Sequence, residues 1–164
     1  MTQGWSVLTV AWADQPANVE QARRVYNQVL RQMVDDHPGA THLVIAKSIG
    51  SLALPAALED QVPGIWLTPL VSREWPDPAV RNAAVTMGPH SPPTLFAGGT
   101  ADAAWDRTVP SPVARIFEAR GADHSLEVPG DWRATLVVLN QLMEVIETMV
   151  QQIGGGARGA NPIG

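Results

Sequence analysis

The stretch that decides the fold is residues 42–51, His-Leu-Val-Ile-Ala-Lys-Ser-Ile-Gly-Ser. Its first half is a short, continuous apolar run with β-branched residues, which is typical of a strand buried on both faces of a parallel sheet. Its second half carries Ser48 at a turn, and small and apolar residues at helical spacing follow as far as Leu58. A strand, a sharp turn with a serine and a helix predict a nucleophile elbow, with the serine hydroxyl at the carboxyl end of the strand.

The residues around Ser48 fit an elbow but leave other interpretations open. An elbow needs small neighbours, because its serine backbone is strained and the helix passes close to the strand. Gly50 supplies one, and Ala46 stands where the pattern Gly-x-Ser-x-Gly has its first glycine. Alternatively, Ser48 only caps the following helix. Lys47, the only lysine, raises a serine–lysine mechanism, but neighbouring side chains in a tight turn point apart, which favours a solvated Lys47.

Length and composition exclude several classes of protein. A chain of 164 residues, 45% apolar and 16% charged, is long enough for one soluble domain with a sizeable core. The net charge of −5 and the lack of a basic cluster argue against nucleic-acid binding. No apolar run approaches the roughly 18 residues of a membrane span, and no signal peptide is recognisable, so we expect a cytoplasmic protein that binds no membrane. With no cysteine and no His-x-x-x-His pair, we expect no metal.

The apolar pattern predicts strands that alternate with helices or irregular crossovers. We expect strands at residues 5–12, 43–46, 65–68, 94–97 and 113–119, and helices at residues 19–36, 51–58, 78–85 and 132–152. This alternation predicts an α/β fold: a mostly parallel five-stranded sheet with helices on both faces, in a three-layer sandwich. The domain is expected to span residues 1–153, and the Gly-rich residues 154–164 to form a disordered tail.

Three residues of complementary chemistry follow predicted strands, at the sheet edge where ligands bind in such folds. Ser48 follows the second strand, Asp102 the fourth and His124 the fifth. A serine hydroxyl needs a base such as imidazole to attack a carbonyl, and a carboxylate must hold the imidazole tautomer. Asp106 is an alternative acid, because it lies four residues further along the same loop as Asp102. His90 is expected to be solvated in its Pro-rich loop.

Three tryptophans fall in loops near the ends of predicted strands. Each one either covers the core or, with the others, lines an apolar pocket for an acyl or aromatic group. They are Trp12, Trp75 and Trp105.

The order serine, acid, histidine resembles that of the α/β-hydrolases. The resemblance is carried by three motifs: Ile-Ala-Lys-Ser-Ile-Gly-Ser (45–51), Leu-Phe-Ala-Gly-Gly-Thr-Ala-Asp (95–102) and Gly-Ala-Asp-His-Ser-Leu-Glu (121–127). In that family the elbow serine is the nucleophile, the aspartate of the Gly-Thr-x-Asp turn is the acid, and the histidine after the last strand is the base. The resemblance thus implies a catalytic triad of Ser48, Asp102 and His124, with the backbone N–H of Ile49 as an oxyanion donor.

The resemblance implies a cofactor-free serine hydrolase, an esterase or thioesterase, whose partner is a small-molecule ester; a homodimer is left open. One departure concerns the oxyanion hole. In the family an upstream strand carries the loop with the second N–H donor, whereas only residues 1–4 precede the first predicted strand. The sequence is therefore expected to begin inside the fold, as an N-terminally shortened chain. The alternative function is a non-catalytic α/β-hydrolase-like module that binds a small molecule or a partner chain.

Overall fold

The computed structural model describes residues 5–10, 16–72 and 77–156. In these residues the helices and strands follow each other in an alternating order. They are α1 (Val19–Asp36), β1 (Val44–Lys47), a 3₁₀ helix (Ser48–Ala53), α2 (Leu54–Glu59), β2 (Gly64–Leu67), α3 (Pro78–Thr86), β3 (Thr94–Gly99), β4 (Arg115–Ala119) and α4 (Trp132–Gly156).

The strands of the described residues form one parallel sheet in the order β1-β2-β3-β4. Each strand pairs with the next one in the sequence, and the crossovers after β1 and β2 run through α2 and α3. The crossover from β3 to β4 consists of turns over residues 100–114. Because the strands are parallel, their carboxyl ends meet at one edge, which brings together the turns that follow β1, β3 and β4. The α/β class and the parallel sheet are as predicted.

The described sheet has four strands rather than five, because the predicted first strand is not observed. Residues 5–10 have no strand pairing, and residues 11–12 lie outside the described residues. Residues 5–10 and β1 line a common groove of about 600 Å³, so the segment lies near β1 but does not pair with it. Val7 and Leu8 are 85% and 62% exposed, so this apolar run is not buried as a core strand would be.

Successive residues of β2 and β3 contribute to different apolar clusters, as the alternation of side chains in a strand requires. Trp66 and Phe96 are buried in a cluster with residues of α1, α2 and α3. Ile65 and Leu95 are buried in a second cluster with Met149 of α4. Residues 66 and 96 therefore pack with α1, α2 and α3, whereas residues 65 and 95 pack with α4.

Helix α4 is longer than the sequence predicts. It continues to Gly156, through residues 154–156, where the disordered tail was expected to begin. Ile153 packs against the cluster that contains Ile65 and Leu95, which stabilises the last turn despite the weak helix propensity of glycine. Residues 157–164 lie outside the described residues. In the described part of the chain, no helix has the length and apolar character that crossing a membrane requires.

Candidate active site

Ser48 lies at a strained turn between β1 and the 3₁₀ helix. Its φ of +52° falls in the left-handed region, which residues other than glycine seldom adopt. Strain of this kind costs on the order of 1–3 kcal/mol and is concentrated at functional sites. A Cβ added to Gly50 would lie 3.0 Å from the Cβ of Ala46, so the helix passes close to the strand. The small residues at both positions are therefore required by packing.

A continuous chain of hydrogen bonds joins Ser48, His124 and Asp102. Ser48 Oγ lies 2.7 Å from His124 Nε2, and His124 Nδ1 lies 3.0 and 2.9 Å from Oδ1 and Oδ2 of Asp102. The carboxylate only accepts hydrogen bonds, so Nδ1 carries the proton and Nε2 accepts the hydrogen of the Ser48 hydroxyl. The structure thus brings together three residues that follow three different strands, in the arrangement that a general base requires.

The residues joined by these hydrogen bonds differ in their exposure to solvent. The side chain of Asp102 is 2% exposed and that of His124 is 43% exposed. Asp102 Oδ1 also accepts a hydrogen bond from the backbone N–H of Ala104 at 2.8 Å, which fixes the orientation of the carboxylate. Ser48 is half-buried. A buried carboxylate therefore orients an imidazole that solvent can reach.

The residues considered as alternatives differ from the triad residues in their contacts or their exposure. Asp106 accepts hydrogen bonds from the backbone N–H and the hydroxyl of Thr108, at 2.9 and 2.6 Å. His90 is exposed in the turn before β3, and Lys47 is exposed at the end of β1. The carboxylate next to the imidazole is that of Asp102.

The N–H of Ile49 is placed at the start of the 3₁₀ helix, directly after Ser48. The first N–H groups of a helix have no partner inside it, so they are free to bind an anion. A second N–H donor would have to come from residues before the first predicted strand or from the loop after Trp12, and residues 1–4 and 11–15 lie outside the described residues.

Trp105 is the only one of the three tryptophans that lies in the described residues, since Trp12 and Trp75 fall outside them. Its ring covers Gly98, where an added Cβ would lie 2.2 Å from the indole, and its N–H donates to Glu118 at 3.1 Å. It lines a cavity of about 410 Å³ whose other lining residues are mostly polar, namely Ser72, Thr100, Ala103, Asp106, Arg107 and Glu118. Trp105 therefore covers part of the core and also lines this cavity.

Gly99 is a site residue that the sequence reasoning missed. A Cβ added to it would lie 2.0 Å from the carbonyl oxygen of Ala122, just before His124. The same oxygen accepts the N–H of Ala101 at 2.9 Å, so the turn after β3 and the loop after β4 are joined backbone to backbone. The available signal was the Gly-Gly pair at the end of a strand, which marks a close approach of another backbone.

The Gly99→Ala variant is expected to lower the free energy of unfolding by about 2–3 kcal/mol, because the two backbones must move apart. The movement would also separate Asp102 from His124. Chemical denaturation measures the stability. Gly88→Ala is the matched control, since a Cβ there meets nothing within 4 Å, and a change within about 0.5 kcal/mol is expected. Equal stability of the two variants would show that the contact with Ala122 is not needed.

Comparisons with known proteins do not assign the site. A scan against protein-family models and a search of curated proteins both give no match. In the described residues no group of three or more His, Cys, Asp or Glu side chains is placed to hold a metal ion. The function is therefore argued from the geometry of the site.

Proposed function

We propose that this protein is a serine hydrolase of the α/β-hydrolase type, with the three-layer arrangement of that family, that cleaves a carboxylic ester or thioester of a small molecule. The observation that carries the proposal is the hydrogen-bonded chain from Ser48 through His124 to Asp102, with 2.7 Å between Ser48 Oγ and the ring. The left-handed backbone of Ser48 supports it, because an elbow nucleophile is held in such a strained turn.

In the first half-reaction the Ser48 oxygen attacks the carbonyl carbon of the substrate, and its proton passes to Nε2 of His124. The imidazolium that forms is stabilised by the buried carboxylate of Asp102. The N–H of Ile49 donates a hydrogen bond to the oxyanion. The bond to the leaving oxygen or sulfur then breaks, the leaving group takes the proton from His124, and an acyl-enzyme remains on Ser48.

In the second half-reaction water hydrolyses the acyl-enzyme. The water oxygen attacks the acyl carbon while His124 takes a proton from the water. The bond between the acyl carbon and the Ser48 oxygen then breaks, and His124 returns the proton to the Ser48 oxygen. The products are a carboxylic acid and an alcohol or thiol. Every proton transfer uses the chain's own residues, so the proposed reaction needs no cofactor.

The alternative is a module that binds a ligand without reacting with it. Binding alone does not require a serine in a costly backbone conformation whose hydroxyl is hydrogen-bonded to an oriented imidazole. The geometry therefore favours the hydrolase.

The proposal is tested by covalent labelling with a fluorophosphonate. The probe forms a bond from its phosphorus to the nucleophilic oxygen and releases fluoride, so intact mass and peptide mapping should show a single label on Ser48. Ser125→Ala is the control, because the exposed Ser125 lies beside His124 and its loss should leave labelling unchanged. A protein that is neither labelled nor active on a panel of p-nitrophenyl esters would be the binding module instead.

A further inference from the structure

Thr68, directly after β2, combines two unfavourable features. Its φ is +44°, in the left-handed region that is most strongly disfavoured for β-branched residues. Its hydroxyl oxygen is buried and has no hydrogen-bond partner in the described part of the protein. Both features cost folding free energy, and such costs are typically retained where a site needs them.

Thr68 is next to Ser48 at the edge of the sheet. Strands β1 and β2 pair in register up to Lys47 and Leu67, so Ser48 and Thr68 are the next residues on the two strands. The backbone N–H of Thr68 donates to the carbonyl oxygen of Ala97 at 2.6 Å, which ties it to β3 as well. Thr68 is therefore held between the strand that leads to Ser48 and the strand that leads to Asp102.

The imidazole of His124 bridges the two strands on either side of Thr68. Ser48 follows β1 and Asp102 follows β3, and β2 lies between them. Neighbouring strands are about 4.8 Å apart, so a ring that reaches both Ser48 and Asp102 must cross the end of β2. That end is followed directly by Thr68, whose hydroxyl has no hydrogen-bond partner among the described residues.

Residues 68–72 are hydrogen-bonded to the 3₁₀ helix that follows Ser48 and to the turn that follows β3. The N–H of Leu70 donates to the buried hydroxyl of Ser51 in the 3₁₀ helix at 3.2 Å. The N–H groups of Val71 and Ser72 donate to the carbonyl oxygen of Ala104 at 3.2 and 2.9 Å. These bonds connect the helix after Ser48 with the turn that carries the acid, so Thr68 belongs to a rigid frame.

We propose that Thr68 is a positioning residue whose hydroxyl oxygen contacts a ring carbon of His124 and stabilises the imidazolium. The two ring nitrogens are already bonded to Ser48 and Asp102, so a C–H group is what the ring can offer to Thr68. A C–H···O contact is weak, and it strengthens when the donor ring becomes positively charged. Its role in turnover rests on the proposed function, whereas its effect on the ring does not.

The charged groups near His124 are the same in every variant of Thr68. Asp102 contacts the ring from the turn after β3, and Lys47 precedes Ser48 at the end of β1. Asp123 and Glu127 lie in the same loop as His124. A change in the titration of the ring between these variants therefore reports the hydroxyl.

The test is the NMR titration of the histidine rings in Thr68→Val, which removes the hydroxyl and keeps the β-branched shape. The titration midpoint of His124 is expected to move to lower pH by about half a unit, because the protonated ring loses a favourable contact. Thr68→Ser keeps the hydroxyl and should restore the midpoint. If activity is present, Thr68→Val should lower kcat several-fold and leave KM unchanged. The His124 signals are assigned by their loss in His124→Asn.

Thr94→Val is the control for the loss of a buried threonine hydroxyl. Thr94 is at the amino end of β3, away from the site, and its hydroxyl donates to the carbonyl oxygen of Pro92. In Thr94→Val the titration midpoint of His124 should equal that of the wild type. An unmoved midpoint in folded Thr68→Val, or an equal shift in Thr94→Val, would overturn the proposal. If Thr68→Val does not fold, the titration midpoint of His124 is compared between Thr68→Ala, which lacks the hydroxyl, and Thr68→Ser, which keeps it. The titration needs no substrate, so failure of the hydrolase proposal is detected separately by labelling.

Discussion

Ser48→Ala is expected to reduce ester hydrolysis by about 10⁴–10⁶-fold, because the substitution removes the attacking oxygen. The loss should appear in kcat, since the rest of the site stays in place to bind the ester. Steady-state kinetics on p-nitrophenyl acetate measures it, and the burst of p-nitrophenol from acylation should disappear at the same time. Wild-type turnover in Ser48→Ala would remove Ser48 from the mechanism.

Two further variants test which histidine is the base for Ser48. His124→Ala should cause a loss of similar size, because Ser48 and its base act as a unit and their effects are not additive. His90→Ala is its matched control, because His90 is exposed in the turn before β3, and its activity should stay within about twofold of the wild type. The reverse result would assign the base to His90.

Much of this architecture could be predicted from local patterns. The helical period places α1 at Val19–Asp36, where it is observed, and short apolar runs locate β2 and β3 within a few residues. The proximity of Ser48, Asp102 and His124 was also predictable, because parallel strands share one carboxyl edge. Their catalytic role is a proposal that rests on that proximity.

The features that could not be predicted depend on contacts between distant residues. The apolar pattern of residues 5–10 allows a strand, but a strand also needs a partner, and these residues do not pair with β1. The need for glycine at position 99 arises from the carbonyl oxygen of Ala122, in another loop. The left-handed backbone of Thr68, and its hydroxyl without a partner in the described part of the chain, leave no sign in the sequence.

Asp102→Asn is expected to lower kcat by about 10⁴-fold with little change in the fold. The N–H of Ala104 donates to Oδ1 of Asp102, so the amide oxygen of the asparagine would stay at that position. Its NH₂ group would then occupy the place of Oδ2, which lies 2.9 Å from Nδ1 of His124. Oδ1 also lies 3.0 Å from Nδ1, but an NH₂ group beside it repels a proton on Nδ1 and favours the tautomer with the proton on Nε2, in which the ring cannot accept the proton of Ser48.

The comparison with Asp106→Asn decides which carboxylate is the acid. Asp106 accepts hydrogen bonds from the backbone N–H and the hydroxyl of Thr108, which an amide oxygen can also accept, so a change of no more than a few-fold is expected. Fluorophosphonate labelling should slow in Asp102→Asn together with kcat, because both reactions need the Ser48 proton to be removed. A larger loss in Asp106→Asn than in Asp102→Asn would mean that the hydrogen bond between Asp102 and His124 does not orient the base.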